Sequence, residues 1–252
     1  MPRYDFRSPR LYVEAPLGSG QTLGLEPAQA NYLRNVLRLK AGAPVLVFNG
    51  GNGEWRATLI DSGKRALALE IGEQTRPQTR PLDLHYLFAP LKHARLDYMV
   101  QKAVEIGTSR LQPILTRHTQ VARVNLDRMR ANAIEAAEQC GILTLPEIAA
   151  PMSLERMLAE RKGERLLIFC DEDAEVKDPV AALATARPQP GVASPALAVL
   201  IGPEGGFAED ERSALLRASN VVRLALGPRI LRADTAAVAA LTLVVAVLGD
   251  WR

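Results

Sequence analysis

Apolar positions recur along this chain with two distinct periods, and the change between them divides it. From residue 82 onward, short continuous apolar runs alternate with segments of helical period. Leu82 to Ala89, Leu111 to Leu115, Leu166 to Phe169, Ala196 to Leu200 and Val221 to Ala225 are such runs. Each is too short for a helix and reads as a strand covered on both faces. Between them, residues 94–106 place Leu96, Met99, Val100, Ala103 and Val104 on one helical stripe, with Gly107 as the stop. Asn125 caps a helix to about Cys140, and Ser153 caps another to about Arg161. Residues 179–186 and 209–218 read as two more helices, and residues 187–195 as a proline-rich loop. This alternation predicts an α/β fold whose sheet is mostly parallel.

Residues 1–72 follow a different rhythm. Leu11-Tyr12-Val13, Pro44 to Phe48, Glu54 to Ile60 and Arg65 to Ile71 read as short strands, and Pro27 to Leu37 as a short helix with proline near its start. Asn49-Gly50-Gly51-Asn52-Gly53 is a hairpin signal. Short strands in so few residues predict a small closed or half-closed β-barrel. Residues 73–81 carry two prolines and no apolar period, and read as a linker between this unit and residues 82–252.

The last helix, about Thr235 to Leu248, is apolar all round. A helix without a polar face is buried on several sides. Two arrangements satisfy it: a groove of its own sheet, or a second copy of the chain in a homodimer. Its 13-residue apolar stretch from Ala236 is too short to span a bilayer.

Two glycine-proline turns carry the candidate chemistry. Ile201-Gly202-Pro203-Glu204-Gly205-Gly206-Phe207 follows one strand, and Leu226-Gly227-Pro228-Arg229-Ile230-Leu231 follows another. Turns at the carboxyl ends of parallel strands converge on one crevice. Neither G-x-G-x-x-G nor G-x-x-x-x-G-K-[ST] is present. Glu204 sits within the first turn, and Glu209, Asp210 and Glu211 crowd the start of the next helix. Acid there suits the helix dipole and repels phosphate. The pair suits a ligand with an adenosine-like body, a cationic centre and no phosphate; S-adenosylmethionine has those properties. The plainer reading, turn punctuation and helix capping, stands for either turn alone.

Composition narrows the class further. The 252 residues, 48% hydrophobic and 23% charged, have the make-up of a globular protein. Residues 1–80 hold 11 Lys and Arg against 7 Asp and Glu, whereas the remainder is close to neutral. A basic N-terminal portion suggests a polyanion-binding module, or a solvated surface. Arg34, Arg38, Lys40, Arg56, Lys64 and Arg65 are its candidate contacts, with Arg10; Arg34 and Arg38 are helical i,i+4 neighbours. Cys140 and Cys170 form no C-x-x-C, and His85, His93 and His118 are dispersed, so no metal site is expected. Two thiols and a charged N-terminus without an apolar core lead us to expect a cytoplasmic protein with no membrane partner.

The two turns, with Arg232 following the second, resemble the small-subunit ribosomal RNA uridine-N3 methyltransferases of the knotted SPOUT superfamily. Val100 to Gly107, Ala137-Glu138-Gln139-Cys140-Gly141 and Arg34 to Leu39 extend the resemblance in the family's order. It implies a PUA-like N-terminal RNA-binding barrel and a C-terminal α/β domain with a deep trefoil knot. It also implies a homodimer, S-adenosylmethionine as methyl donor, and methylation of a uridine in the decoding region of 16S rRNA in the small ribosomal subunit. On the matching positions, Ile201, Gly202, Pro203, Glu204, Gly205, Gly206, Leu226, Gly227, Ile230, Leu231 and Thr235 line the donor, together with the loop after Phe169. Arg232 would face charge developing on the base, or clamp a phosphate or carboxylate. Asp234 would take a proton or cap the last helix, and capping is the reading we favour. Lys102 and Glu105 are raised only by the resemblance and otherwise read as a surface pair. Arg117, His118 and Arg123 would extend the basic surface, or be solvated. The chain departs from the family where Asp234 replaces a usual Glu and Ile142 a usual Arg. Other RNA methylations of the superfamily, on ribose 2′-O or transfer RNA, and a non-catalytic assembly factor remain open. A nicotinamide oxidoreductase is disfavoured by the absent fingerprint.

Overall fold

A computed structural model describes residues 5, 7–63, 66–121, 123–161, 163–187 and 195–251. Lys64, Arg65 and most of the 187–195 loop therefore lie outside the described residues. The chain divides into two compact units, one of residues 1–80 with 137–145 and one of 81–136 with 146–252.

In the first unit, β1 (Arg10–Tyr12), β2 (Thr22–Gly24), β3 (Pro44–Phe48), β4 (Glu54–Asp61) and β5 (Leu67–Arg76) form one sheet in the order β1-β3-β4-β5-β2. The β3-β4-β5 meander is antiparallel, whereas β1 joins β3 in parallel. Edges remain at β1 and β2, so the sheet is open rather than closed. Alternation along β4 buries Ala57 and Leu59 while Arg56 and Thr58 face out. Val45, Val47, Leu59, Leu69 and Ile71 make a core that Leu33 seals. Leu33 comes from the short helix α1 (Pro27–Asn31), which widens into a π-helical turn over Tyr32–Val36.

Two expectations need correction here. The segment expected to be a linker from residue 73 continues β5 to Arg76. The cause is Glu54, only 3% exposed, which needs partners for a buried carboxylate. Arg76 Nη2 reaches it at 2.6 Å, Thr75 Oγ1 at 2.8 Å and Arg10 Nε at 3.0 Å. Burial alone would raise the Glu54 carboxyl, but the hydrogen bonds from Arg76, Thr75 and Arg10 outweigh it and hold it below its ordinary value. The same Arg76 donates to the Gly141 carbonyl at 2.9 Å, and the Tyr12 amide donates to Glu138 at 2.8 Å. Second, Arg38 lies beyond the helical segment at φ 55°, so it does not share a helix face with Arg34.

The second unit contains β6 (Leu84–Phe88), β7 (Arg110–Leu115), β8 (Glu147–Ile148), β9 (Met152–Ser153), β10 (Leu166–Cys170), β11 (Leu197–Ile201) and β12 (Val221–Leu224). Their order is β12-β10-β11-β6-β7-β8, with β9 also beside β7, and every pairing is parallel. Helices are α2 (His93–Glu105), α3 (Leu126–Cys140, whose last residues from 137 belong to the first unit), α4 (Leu154–Glu160), α5 (Pro179–Ala184), α6 (Glu209–Arg217) and α7 (Ala233–Leu248). Asn125 caps α3 by accepting the Arg128 amide at 3.0 Å, and Ser153 caps α4 by accepting that of Arg156 at 3.1 Å.

The last helix starts earlier than its pattern indicated. Arg232, extended at φ −65° and ψ 152°, is the N-cap residue, so Asp234 lies inside the first turn and is not the cap. Its Oδ1 accepts the Thr235 amide at 2.9 Å. α7 packs on α2, α5 and β11. Ala237, Ala240, Leu241, Val244, Val245 and Leu248 are buried there, within its own unit. A stripe of Thr235, Val238, Ala239, Thr242, Leu243 and Ala246 stays partly open. Among the described residues no helix is long and apolar enough to cross a membrane.

Candidate functional site

Because the strands of the second unit are parallel, their carboxyl ends share one sheet edge, and the loops there are where ligands bind. β10 lies between β11 and β12. The turn after β11 and the turn after β12 therefore flank the end of β10.

The first turn is shaped by its glycines. A Cβ on Gly202 would stand 2.8 Å from the Phe207 ring, and Phe207 in turn packs edge-on against Phe169, ring centroids 6.3 Å apart. Gly206 adopts φ 71° and its amide donates to the Pro203 carbonyl at 2.9 Å. Glu211 fastens the helix that follows: Oε2 accepts the Ala208 amide at 3.0 Å and Oε1 that of Arg117 at 2.8 Å. Asp210 pairs with the Arg117 guanidinium at 2.6 Å. The second turn is more open. Gly227 bends it at φ 91°, and Ile230 is wholly exposed.

Asp171, just after β10, joins the two walls. It is 4% exposed and accepts from Arg223 of β12 at 2.9 Å and from Arg212 of α6 at 3.2 Å. The sequence signal was available, since three acidic residues directly follow an apolar strand, but no partner could be named. Cys170 beside it keeps some exposed surface, yet burial of its sulfur, with the Glu172 and Asp171 charges, pushes the thiol up to about 12. It is not a nucleophile at neutral pH.

On the β6 side of the first turn lies a cleft of about 380 Å³, whose lining includes Lys92, Arg95, His118, Gln120, Pro203 and Glu204. Arg95 and Glu204 form an ion pair across it. His118 stands against Gly205, and its Nδ1 lies 3.0 Å from the Gly206 carbonyl. Lys92, Arg95 and Gln120 were not singled out from sequence. Lys92 and Gln120 come from the loops after β6 and β7 and Arg95 from the first turn of α2, and only the strand order brings these segments to the turn after β11.

The expected site residues thus fall into groups. Ile201 to Gly206 form the first turn, Leu226 to Leu231 the second, and Arg232, Asp234 and Thr235 the start of α7. Arg232 is exposed. Lys102 and Glu105 make the surface pair expected of them, at 2.8 Å. Of the candidate RNA contacts, Arg38 and Lys40 are exposed, Arg34 pairs with Asp61 at 3.1 Å, and Arg56 lies 3.8 Å from Glu73. Arg10 is a correction: at 7% exposure and committed to Glu54, it offers nothing to a polyanion. Among the described residues no group of His, Cys, Asp or Glu could hold a metal ion.

Comparisons with known proteins identify the family. Residues 78–245 match the family model for an RNA methyltransferase domain, and residues 25–72 that for an RNA methyltransferase PUA domain. The ribosomal RNA small subunit methyltransferase E of Synechocystis sp. is 34% identical over 90% of this chain and 74% of its own length. Its namesake from Rickettsia conorii is 29% identical over 92% of this chain and 93% of its own. Among solved structures, the ribosomal RNA small subunit methyltransferase E of Neisseria gonorrhoeae, bound to S-adenosyl methionine, superposes with a TM-score of 0.83. It is 27% identical, covering 98% of this chain and 100% of that one.

Proposed function

This chain belongs to the RNA methyltransferase family, and from that premise we propose that it transfers a methyl group from S-adenosylmethionine to N3 of a uridine in the decoding region of 16S rRNA. The observation that carries the reading is the pair of glycine turns flanking the end of β10 in a parallel sheet.

The residues present fit the donor. Gly202 leaves no room for a side chain, and Gly205 and Gly206 present bare backbone to a flat, uncharged adenosyl body. The acids that begin α6 disfavour a phosphorylated nucleotide in the same place. Ile201, Gly202, Pro203, Glu204, Gly205 and Gly206 form one wall. Leu226, Gly227, Ile230, Leu231 and Thr235 form the other. When bound, the donor supplies an electrophilic methyl on a sulfonium. The protein's share is placement, since fixing base and methyl in line removes most of the entropic barrier. Arg232 is exposed at the start of α7, and its guanidinium is the cation this reading assigns to the charge that develops on the uracil oxygens.

The first unit supplies RNA affinity through Arg34, Arg38, Lys40 and Arg56, which are polar contacts to phosphate rather than to bases. The partly open stripe of α7 supports a homodimer. The path of the chain supports the knotted reading: β12 is a sheet edge, yet α7 returns past β10 to cover β11. A small-subunit ribosomal RNA substrate supports the cytoplasmic expectation.

The test is to incubate the protein with unmodified small subunits and labelled methyl donor, and to map the label. A methyl on N3 of one decoding-region uridine is expected. Label on a ribose 2′-oxygen, or donor binding without transfer, would overturn the reading.

A further inference from the structure

The proposed reaction leaves one step without a residue. Uridine N3 carries a proton, and a base must remove it before the nitrogen can attack a methyl group. Three candidates stand near the turns. Asp234 already accepts the Thr235 amide, lies inside the first turn of α7 and is not among the residues that line the cleft. Glu204 lines the cleft but is taken by Arg95. His118 is the third, and its surroundings single it out.

A backbone carbonyl only accepts hydrogen bonds, so the 3.0 Å contact between His118 Nδ1 and the Gly206 oxygen fixes the proton on Nδ1. In the neutral ring the lone pair is then on Nε2. His118 is exposed and lines the cleft of about 380 Å³, a volume at the small end of ligand pockets and suited to one nucleotide. The ring also rests on Gly205, with its Cβ 3.5 Å from where a Gly205 Cβ would be. The histidine is thus fastened to the backbone of the same turn that walls the donor. Lys92 gives the cleft a cation suited to a phosphate of an extruded nucleotide, while Arg95 is paired with Glu204.

We propose that this cleft receives the target uridine and that His118, held in its Nδ1–H tautomer by the Gly206 carbonyl, is the catalytic base that takes the N3 proton. The inference rests on the N3 reading above. In balance, the Nε2 lone pair accepts the N3 proton. The electron pair left on N3 forms the new bond to the methyl carbon. The bond from that carbon to the sulfonium sulfur breaks with its electrons going to sulfur, leaving a neutral thioether. The imidazolium then returns its proton to water.

His118→Asn separates catalysis from architecture. The Asn amide can still donate to Gly206, as Nδ1 does, but the group corresponding to Nε2 is gone. Three measurements are made. Single-turnover methyl transfer in H118N should fall by about 10²- to 10⁴-fold, the usual worth of a general base, while calorimetric donor affinity and RNA affinity stay within about two-fold of wild type. Substrate RNA carrying 5-fluorouridine, whose N3–H is more acidic because fluorine withdraws electrons, should recover much of the lost rate in H118N and gain little with wild type. Nitrogen-15 spectra of the protein alone, at alkaline pH, should show His118 protonated on Nδ1 and bare on Nε2. Full activity of H118N would overturn the proposal. So would loss without fluorouridine recovery, or the opposite tautomer. If wild type places its label away from N3, the functional reading itself has failed, and the tautomer measurement still stands apart from it.

Discussion

Gly202 has no room for a Cβ, because Phe207 would lie 2.8 Å from it and Phe207 is held by Phe169. Gly202→Ala should therefore lower unfolding stability by about 1–3 kcal/mol in urea titrations, the usual cost of overpacking. At Gly205 a Cβ would meet only His118 at ordinary contact distance. Gly205→Val should then fold normally yet lose calorimetric affinity for S-adenosylmethionine by at least about ten-fold; unchanged affinity would remove this turn from the donor site. His85 offers a test by pH. Burial, then the Arg165 charge, push it down from 6.5 to about 4, with Asp83 opposing in part. The unfolded chain thus binds a proton that the folded chain refuses. Stability is unaffected by this group above pH 6.5, falls as pH drops through the window from 6.5 to about 4, and levels off below it. His85→Gln should flatten that decline in the urea midpoint relative to wild type.

Elements declared themselves in the sequence where their causes are local. The caps at Asn125 and Ser153, the Gly107 stop and both glycine-proline turns each depend on a few neighbouring residues. The strands β8 and β9 span two residues each, and no period can be read from two positions. The burial of Arg10 was hidden because its partner Glu54 is 44 residues away. The cleft was half visible: the first turn could be found, but the loops that face it depend on β6 lying beside β11, a pairing between segments far apart in the chain. Asp171 belongs to the same hidden class, since it binds Arg212 and Arg223 across three elements. Asp171→Asn should weaken donor affinity and lower stability by about 1.5–3 kcal/mol, the worth of hydrogen bonds to a charged group. Equal affinity in calorimetry would show that the walls hold their spacing without it.

At the scale of the molecule, two surfaces await partners. Leu243 lies on the partly open stripe of α7. Wild type should sediment as a dimer, and Leu243→Glu as a folded monomer; a monomeric wild type would end the dimer proposal. Arg34→Glu with Arg38→Glu should weaken capture of small-subunit RNA and flatten its salt dependence by about 0.7 per lost contact, while donor affinity is unchanged.

The chain leaves its first unit at residue 80 and returns to it at residues 137–145. Gly141 then accepts from Arg76, and Glu138 from the Tyr12 amide. A ribosome synthesises from the N-terminus, and an N-terminal domain usually folds before the rest has emerged. Here the opening eighty residues must wait for a stretch made much later before their last partners arrive. Grafting this region onto another protein would have to carry both pieces, because a cut at residue 80 leaves those donors facing water.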